Sequence, residues 1–422
     1  GGAVNGTTAN TQSLTLNAGS TGAVSVLGSV GQTTALNTLT LTHSNGATFS
    51  SPVSTGTEVV LSNTVAGQTI RFADNLSTPV LTTTANGYHL ELLGTTTNIT
   101  GTSATTTFLN TGNLVLGNAA GDTLTFAGGL TASAPTAISA AGTLSTTNAA
   151  IVLGAAPVTL TGNTTVNAGT GAITLGGTVD GGYSLALNST GVTTLGAAVG
   201  DSAALSSITT NTGGTVVIQG ARVRTTGTQR YAELVTLSGN TTLTGAAVRF
   251  DDAVTGTGSL NVVGAATLNG ATVTTQGAQT YNGAVTLLKN TVLNANAAQV
   301  SFVSTVDGGY DLTVNTTGTT HFGGDVGAGT ALTSLTTNVG GMVLIDAATV
   351  HTTGAQTFNE MVSLQRSTTF TGSVVTFNDA VLSAGDLSVV GAAVLNAGTI
   401  STSGAQSYSA ATTLVRDTVL TA

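Results

Sequence analysis

Apolar and polar residues alternate along this chain in short bursts, as in Leu14-Thr15-Leu16, Leu39-Thr40-Leu41, Leu114-Val115-Leu116 and Leu124-Thr125-Phe126. Alternation puts Leu14 and Leu16 on one face and Thr15 on the other, which is the period of a half-buried strand. Turn clusters such as Ser44-Asn45-Gly46 and Asn86-Gly87 separate the bursts. No window combines helical periodicity with capping signals. The pattern predicts an all-β protein of many short strands, spaced at about ten residues. Residues 1–157 hold all four prolines (Pro52, Pro79, Pro135 and Pro157) and form an irregular segment in which sandwich and solenoid stay equally open.

The rest of the chain separates the two. Asn163–Lys289 aligns without a gap onto Asn290–Arg416, with 64 identities in 127 positions. Within these copies Gly277-Ala278-Gln279-Thr280-Tyr281, followed by Val285-Thr286-Leu287, recurs at Gly227–Tyr231, Gly354–Phe358 and Gly404–Tyr408, spaced by 50, 77 and 50 residues. A finer spacing of 25 links Val235, Leu260 and Val285, and three short strands (235–237, 241–243 and 248–250) fit inside one such unit. A unit with three strands cannot bury its apolar side alone, but stacked units bury a continuous ladder. The expected fold is a right-handed parallel β-helix, or β-solenoid, with three strands per coil of about 25 residues. Residues 158–422 form its regular part, with super-repeats 163–289 and 290–416 of five coils each. About 17 coils at ~4.8 Å each would give a rod on the order of 80 Å long.

Composition narrows the functional classes. Charged residues are only 6% of the chain and hydrophobic residues 40%, the reverse of a disordered chain. Aromatic residues are 4%, as expected for a narrow interior that favours small and β-branched side chains. With net charge −9 and eight basic residues, the chain cannot assemble the basic face a nucleic-acid binder needs. The absence of cysteine excludes disulfides, thiolate metal sites and cysteine nucleophiles. No apolar run reaches the roughly 20 residues of a helical membrane span. The chain opens on Gly1-Gly2, and its last residues restart the unit that begins at Asn290, so it reads as a piece of a longer protein.

The strongest candidate for binding is the Gln-x-aromatic corner: Gln229 with Tyr231, Gln279 with Tyr281, Gln356 with Phe358, and Gln406 with Tyr408. It has two readings, an aromatic platform for sugars or a packed corner in which glutamine satisfies turn backbone. His321 and His351 stand where the preceding copy has Thr194 and Arg224, and no HExxH spacing occurs, so the repeat requires neither histidine. The acidic candidates for polysaccharide chemistry are Asp251-Asp252, Asp307 with Asp311, and Asp325, but only Asp180/Asp307 and Asp252/Asp379 recur between copies. Aspartate before Gly-Gly reads as a turn residue bonding its own backbone. No nine-residue period of the calcium-roll kind appears. An outward threonine array looks patchy, with Thr241-Thr242, Ala266-Thr267 and Thr291-Val292 in successive units. No catalytic residue, metal ligand or cofactor is expected.

Residues 277–287 (Gly-Ala-Gln-Thr-Tyr-Asn-Gly-Ala-Val-Thr-Leu), 306–315 (Val-Asp-Gly-Gly-Tyr-Asp-Leu-Thr-Val-Asn) and 331–338 (Ala-Leu-Thr-Ser-Leu-Thr-Thr-Asn) resemble the repeat regions of giant Gram-negative surface proteins, the filamentous-haemagglutinin-like exoproteins and autotransporter passengers. The resemblance covers 158–422 and carries over no functional residue. It implies an extracellular or cell-surface location and a non-enzymatic stalk or fibre segment of an adhesin. The implied partners are a host or matrix surface, polysaccharide, or like chains joined end to end. Two alternatives follow: a β-helical protein that binds or degrades polysaccharide, and a self-assembling matrix filament.

Overall fold

The computed structural model describes residues 2–422, none of them helical. The strands pair in parallel and wind through about 20 turns as a β-solenoid, the expected parallel β-helix. The chain divides into two compact units, which meet in sequence at Gly220 and Ala221.

Three faces are wound in residues 2–220. One carries Val24, Ala47, Ile70, Leu90, Leu114, Ile138, Val158 and Val179, each paired with the next, one turn on. A second stacks Val53, Leu76, Thr97, Leu124, Leu144, Val166 and Leu187. The third includes Leu39, Val59 and Leu81 and, further along, Leu130, Ile151, Ile173, Thr193 and Val216. The winding is thus already established in the stretch whose sequence looked irregular.

Residues 221–422 repeat the plan more evenly. Their first face stacks Leu260, Gln279, Val300, Thr320, Val343, Val362, Val381, Ile400 and Leu420, again one per turn. The second stacks Gln229, Val248, Ala266, Val285, Val306, Val326, Val350, Phe370, Val389 and Tyr408. The third stacks Val235, Val254, Val273, Leu293, Val314, Thr337, Phe358, Phe377, Leu395 and Leu414.

These registers correct the expected coil length. One turn above Val235 is Val254, and Leu260 begins the following face. One turn above Leu260 is Gln279, and Val285 again begins the next face. The spacing that links Val235, Leu260 and Val285 is therefore a full turn plus one face. The coil itself is the shorter step from Val235 to Val254, and at about 20 residues it lies at the short end of solenoid repeats. The super-repeat behaves likewise. Six turns above Gln229 lies Val350, and Gln356 starts the next face. Six turns above Gln279 lies Ile400, and Gln406 starts the next face. One super-repeat is thus six turns and a third, not five coils, so the corner motif reappears one face further round.

The interior is apolar and close-packed. Stacking in register places like side chains over one another, so rings pile up: Tyr281 on Phe302 (centroids 5.5 Å apart) and Phe302 on Phe322 (5.3 Å), with their planes nearly parallel. Phe49 and Phe72 stack at 4.8 Å in the other unit. Glycine is required where the chain turns tightly beneath its neighbour. At Gly391 φ is +126°, and a Cβ would sit 1.9 Å from the Gly372 carbonyl oxygen.

Candidate functional site

The Gln-x-aromatic corners lie inside the coil. Gln229, Tyr231, Gln279, Tyr281, Gln356 and Phe358 are fully buried, and Gln406 and Tyr408 are half-buried. Each glutamine Nε2 donates to the carbonyl six residues earlier: Val223 (3.0 Å), Val273 (3.1 Å), Val350 (3.0 Å) and Ile400 (3.2 Å). Each also donates to a carbonyl 15 residues later: Thr244 (2.8 Å), Asn294 (2.9 Å), Thr371 (2.8 Å) and Thr421 (2.8 Å). The side chain therefore braces its own coil to the one above. A buried threonine completes the corner, its Oγ1 donating to a glycine carbonyl two residues on at Thr225, Thr275, Thr352 and Thr402. The motif is thus Thr-x-Gly-x-Gln-x-aromatic, and its threonine, though legible at constant spacing, was not among the sequence candidates. Buried rings cannot stack on a sugar, so the first three corners offer no aromatic platform.

One copy departs from the others. The hydroxyls of Tyr231, Tyr281 and Tyr408 donate to Oε1 of their own glutamines at 3.0, 3.2 and 3.2 Å. Phe358 has no hydroxyl, and Gln356 Oε1 is buried without a partner. Tyr281→Phe would leave Gln279 Oε1 in the same state and is expected to cost about 1–2 kcal/mol, read as faster exchange of the surrounding amides in native-state hydrogen exchange. An unchanged exchange pattern would mean that water reaches the corner.

The acidic residues are dispersed, and most hold backbone. Asp180 accepts from the amides of Ser202 and Ala203, Asp307 from Gly329 and Thr330, and Asp325 from Ala348 and Thr349, all at 2.8–3.0 Å. These bonds reach the next coil rather than the residue's own turn. Asp252 and Asp379 do cap their own following amides, at 2.7 Å each. Asp311 accepts from the Ser334 hydroxyl at 2.7 Å. Asp251 sits between Arg230 (2.7 Å) and Arg249 (2.6 Å), with Asn269 Nδ2 at 3.0 Å. Burial works to raise its pKa, but the Asn269 amide and the two guanidinium groups outweigh it and hold the carboxyl below its ordinary range. Among the described residues no three His, Asp or Glu side chains are grouped as a metal site.

Two arrangements were not legible beforehand. Ser301 Oγ lies 3.1 Å from His321 Nδ1, and His321 Nε2 lies 2.9 Å from Asp346 Oδ2, on three successive coils. The order resembles a nucleophile, base and orienting acid, but Ser301 is only 6% exposed, which bars the approach of a substrate. His89 and His351 stand apart from this cluster: His89 Nδ1 accepts from the Asn113 amide, and His351 lies in a strand paired with Thr371.

The second arrangement is an outward strip on the third face of residues 221–422. Thr272, Val292, Thr313, Thr336, Thr357, Thr376, Val394 and Thr413 stack in one column, so a threonine array that the longer spacing hides appears at the true register. Beside it asparagines link coil to coil: Asn315 to Asn294 (2.9 Å), Asn378 to Asn359 (2.7 Å) and Asn396 to Asn378 (3.2 Å). The counterpart in residues 2–220 is a shallow groove of about 380 Å³ lined by Asn148, Asn167, Asn188, Asn211, Thr170, Thr190 and Gly169. Three further grooves of 240 to 400 Å³ are likewise lined without Asp, Glu, His, Lys or Arg.

The fold places the chain among β-solenoid proteins. No protein-family model, curated protein or solved structure matches it.

Proposed function

We propose that this chain is a non-enzymatic structural segment, a stalk or fibre section of an extracellular bacterial adhesin or surface filament. The observation that carries the reading is how the polar side chains are used. Corner glutamines, asparagines and most aspartates hydrogen-bond one coil to the next, as Gln279 does through Val273 and Asn294. Such a stack resists bending and local opening because every coil is held by both neighbours. Grooves without an ionisable side chain favour this reading over a polysaccharide-cleaving enzyme, which needs clustered carboxylates. The test is antibody labelling of intact source cells with serum raised against residues 163–289. Surface labelling that protease shaving removes is expected, and signal confined to the cytoplasm would overturn the proposal.

A second reading rests on the asparagine–threonine groove. Its uncharged hydrogen-bonding surface, with Asn167 and Asn188 linked at 2.7 Å, suits a neutral glycan chain lying across the coils. Glycan-array binding that Asn188→Leu abolishes would favour it, and no binding would leave the scaffold role alone.

A further inference from the structure

Glu360 is an ionisable residue that the scaffold does not use as it uses the others. It lies in the corner between the strands Ala355–Phe358 and Met361–Leu364 and is only 2% exposed. Its Oε2 accepts from the Gly341 amide on the coil below at 2.9 Å. Its Oε1 is buried without a partner, and so is Thr337 Oγ1 in the strand that leads into the same lower corner. The lower corner is tight: a Cβ on Gly341 would lie 2.2 Å from the Gly318 carbonyl oxygen, 2.6 Å from Glu360 Oε2 and 3.0 Å from the Thr316 carbonyl oxygen. The carboxyl is thus enclosed by backbone and offered a single amide.

Charged groups do not explain it. The lower corners, 338–341 and 316–318, hold no ionisable side chain, and in the corner above only Asp379 is ionisable. Asp379 is exposed and caps the Ala380 amide at 2.7 Å. The strands that run into and out of the corner, 355–358 and 361–364, bring no charge. A carboxylate buried this way leaves negative charge beside carbonyl oxygens, whereas a carboxylic acid gains an O–H donor that can serve Thr337 Oγ1.

We propose that Glu360 is a proton-binding site within the solenoid, closing its corner when protonated and loosening it when ionised. Burial acts in the same direction, raising the carboxyl from its ordinary 4.5 to about 7; the Gly341 amide and the Thr337 hydroxyl, which lies near the carboxyl but outside hydrogen-bond geometry, offset only part of the rise. A pKa raised on folding means that the native state binds the proton more tightly than the unfolded chain. Its contribution is fully present below about pH 4.5 and is lost as pH rises through about 7.

The chain has four glutamates (Glu58, Glu91, Glu233 and Glu360), so side-chain ¹³C-glutamate labelling of the full chain gives four carboxyl signals. The Glu360 signal is expected to titrate with a midpoint of about 7. Assignment comes from its loss in Glu360→Gln or, should that variant not fold, by elimination with Glu58→Gln, Glu91→Gln and Glu233→Gln. The urea midpoint of the unsubstituted chain is expected to be lower at about pH 8.5 than at about pH 5.5, and Glu360→Gln is expected to shrink that difference. A Glu360 signal that titrates below about pH 5, or an identical pH response in the variant, would overturn the proposal. So would a midpoint that calcium lowers strongly, because the site would then hold a cation rather than a proton.

Discussion

Replacing Gln279 with leucine is expected to destabilise its corner by about 3–5 kcal/mol, the largest effect of any single polar substitution in the solenoid. Leucine fills the space but donates nothing, so the carbonyls of Val273 and Asn294 lose donors at 3.1 and 2.9 Å. The Tyr281 hydroxyl loses its acceptor at 3.2 Å in the same step. The Val273 and Tyr281 groups are buried and the Asn294 bond is part-buried, so the first two losses carry a desolvation cost rather than an exchange for solvent. The matched control is Gln406→Leu. Gln406 makes the equivalent bonds to Ile400 and Thr421 but is half-buried, so water can replace it and the cost is expected to be about 1 kcal/mol. Native-state hydrogen exchange resolves the two because it reports opening locally, coil by coil. Equal effects at the two positions would mean that burial does not set the value of the brace.

The second large effect is expected at Phe302, the middle ring of the Tyr281–Phe302–Phe322 stack. Truncation to alanine removes contacts on both sides and leaves a cavity in a narrow interior that cannot collapse without breaking ladder bonds, at a cost of about 3–5 kcal/mol. Phe302→Leu is expected to cost only about 1 kcal/mol, because the preceding copy places Leu175 at the corresponding position. Denaturant unfolding of the two variants checks the order, and a leucine variant as damaged as the alanine variant would show that the stack, not the filled volume, holds these coils.

The alternation of Leu14-Thr15-Leu16 and its relatives was enough to predict strands, and the repeats were enough to predict stacked coils with three faces. The coil length was not legible, for a physical reason. The three faces meet the same demand, an apolar interior with a polar outside, so a strand on one face resembles a strand on any other. Self-similarity therefore peaks wherever local chemistry repeats, at Val235, Leu260 and Val285, without regard to which face each occupies. The corner glutamines show the same limit: their spacing was visible, but their direction was not, and direction separates an internal brace from a binding platform. The threonine array looked patchy because Thr242, Thr267 and Val292, spaced as Val235 and Leu260 are, lie on three different faces, whereas the column from Thr313 to Thr376 lies on one. Glu360 recurs as Glu233 in the preceding copy, but its burial was not legible, because it depends on the Gly341 corner below it.

The winding itself is open to a direct test, because the chain has no cysteine and any introduced pair is the only pair. Thr357 and Thr376 face each other across adjacent coils, whereas Leu382, as far from Thr357 as Leu260 is from Val235, lies on the next face. Under mild oxidation Thr357→Cys with Thr376→Cys is expected to close a disulfide in the folded chain, and Thr357→Cys with Leu382→Cys is expected to stay reduced. Closure of the second pair but not the first would contradict the three-faced coil in which Thr376 stands one turn above Thr357.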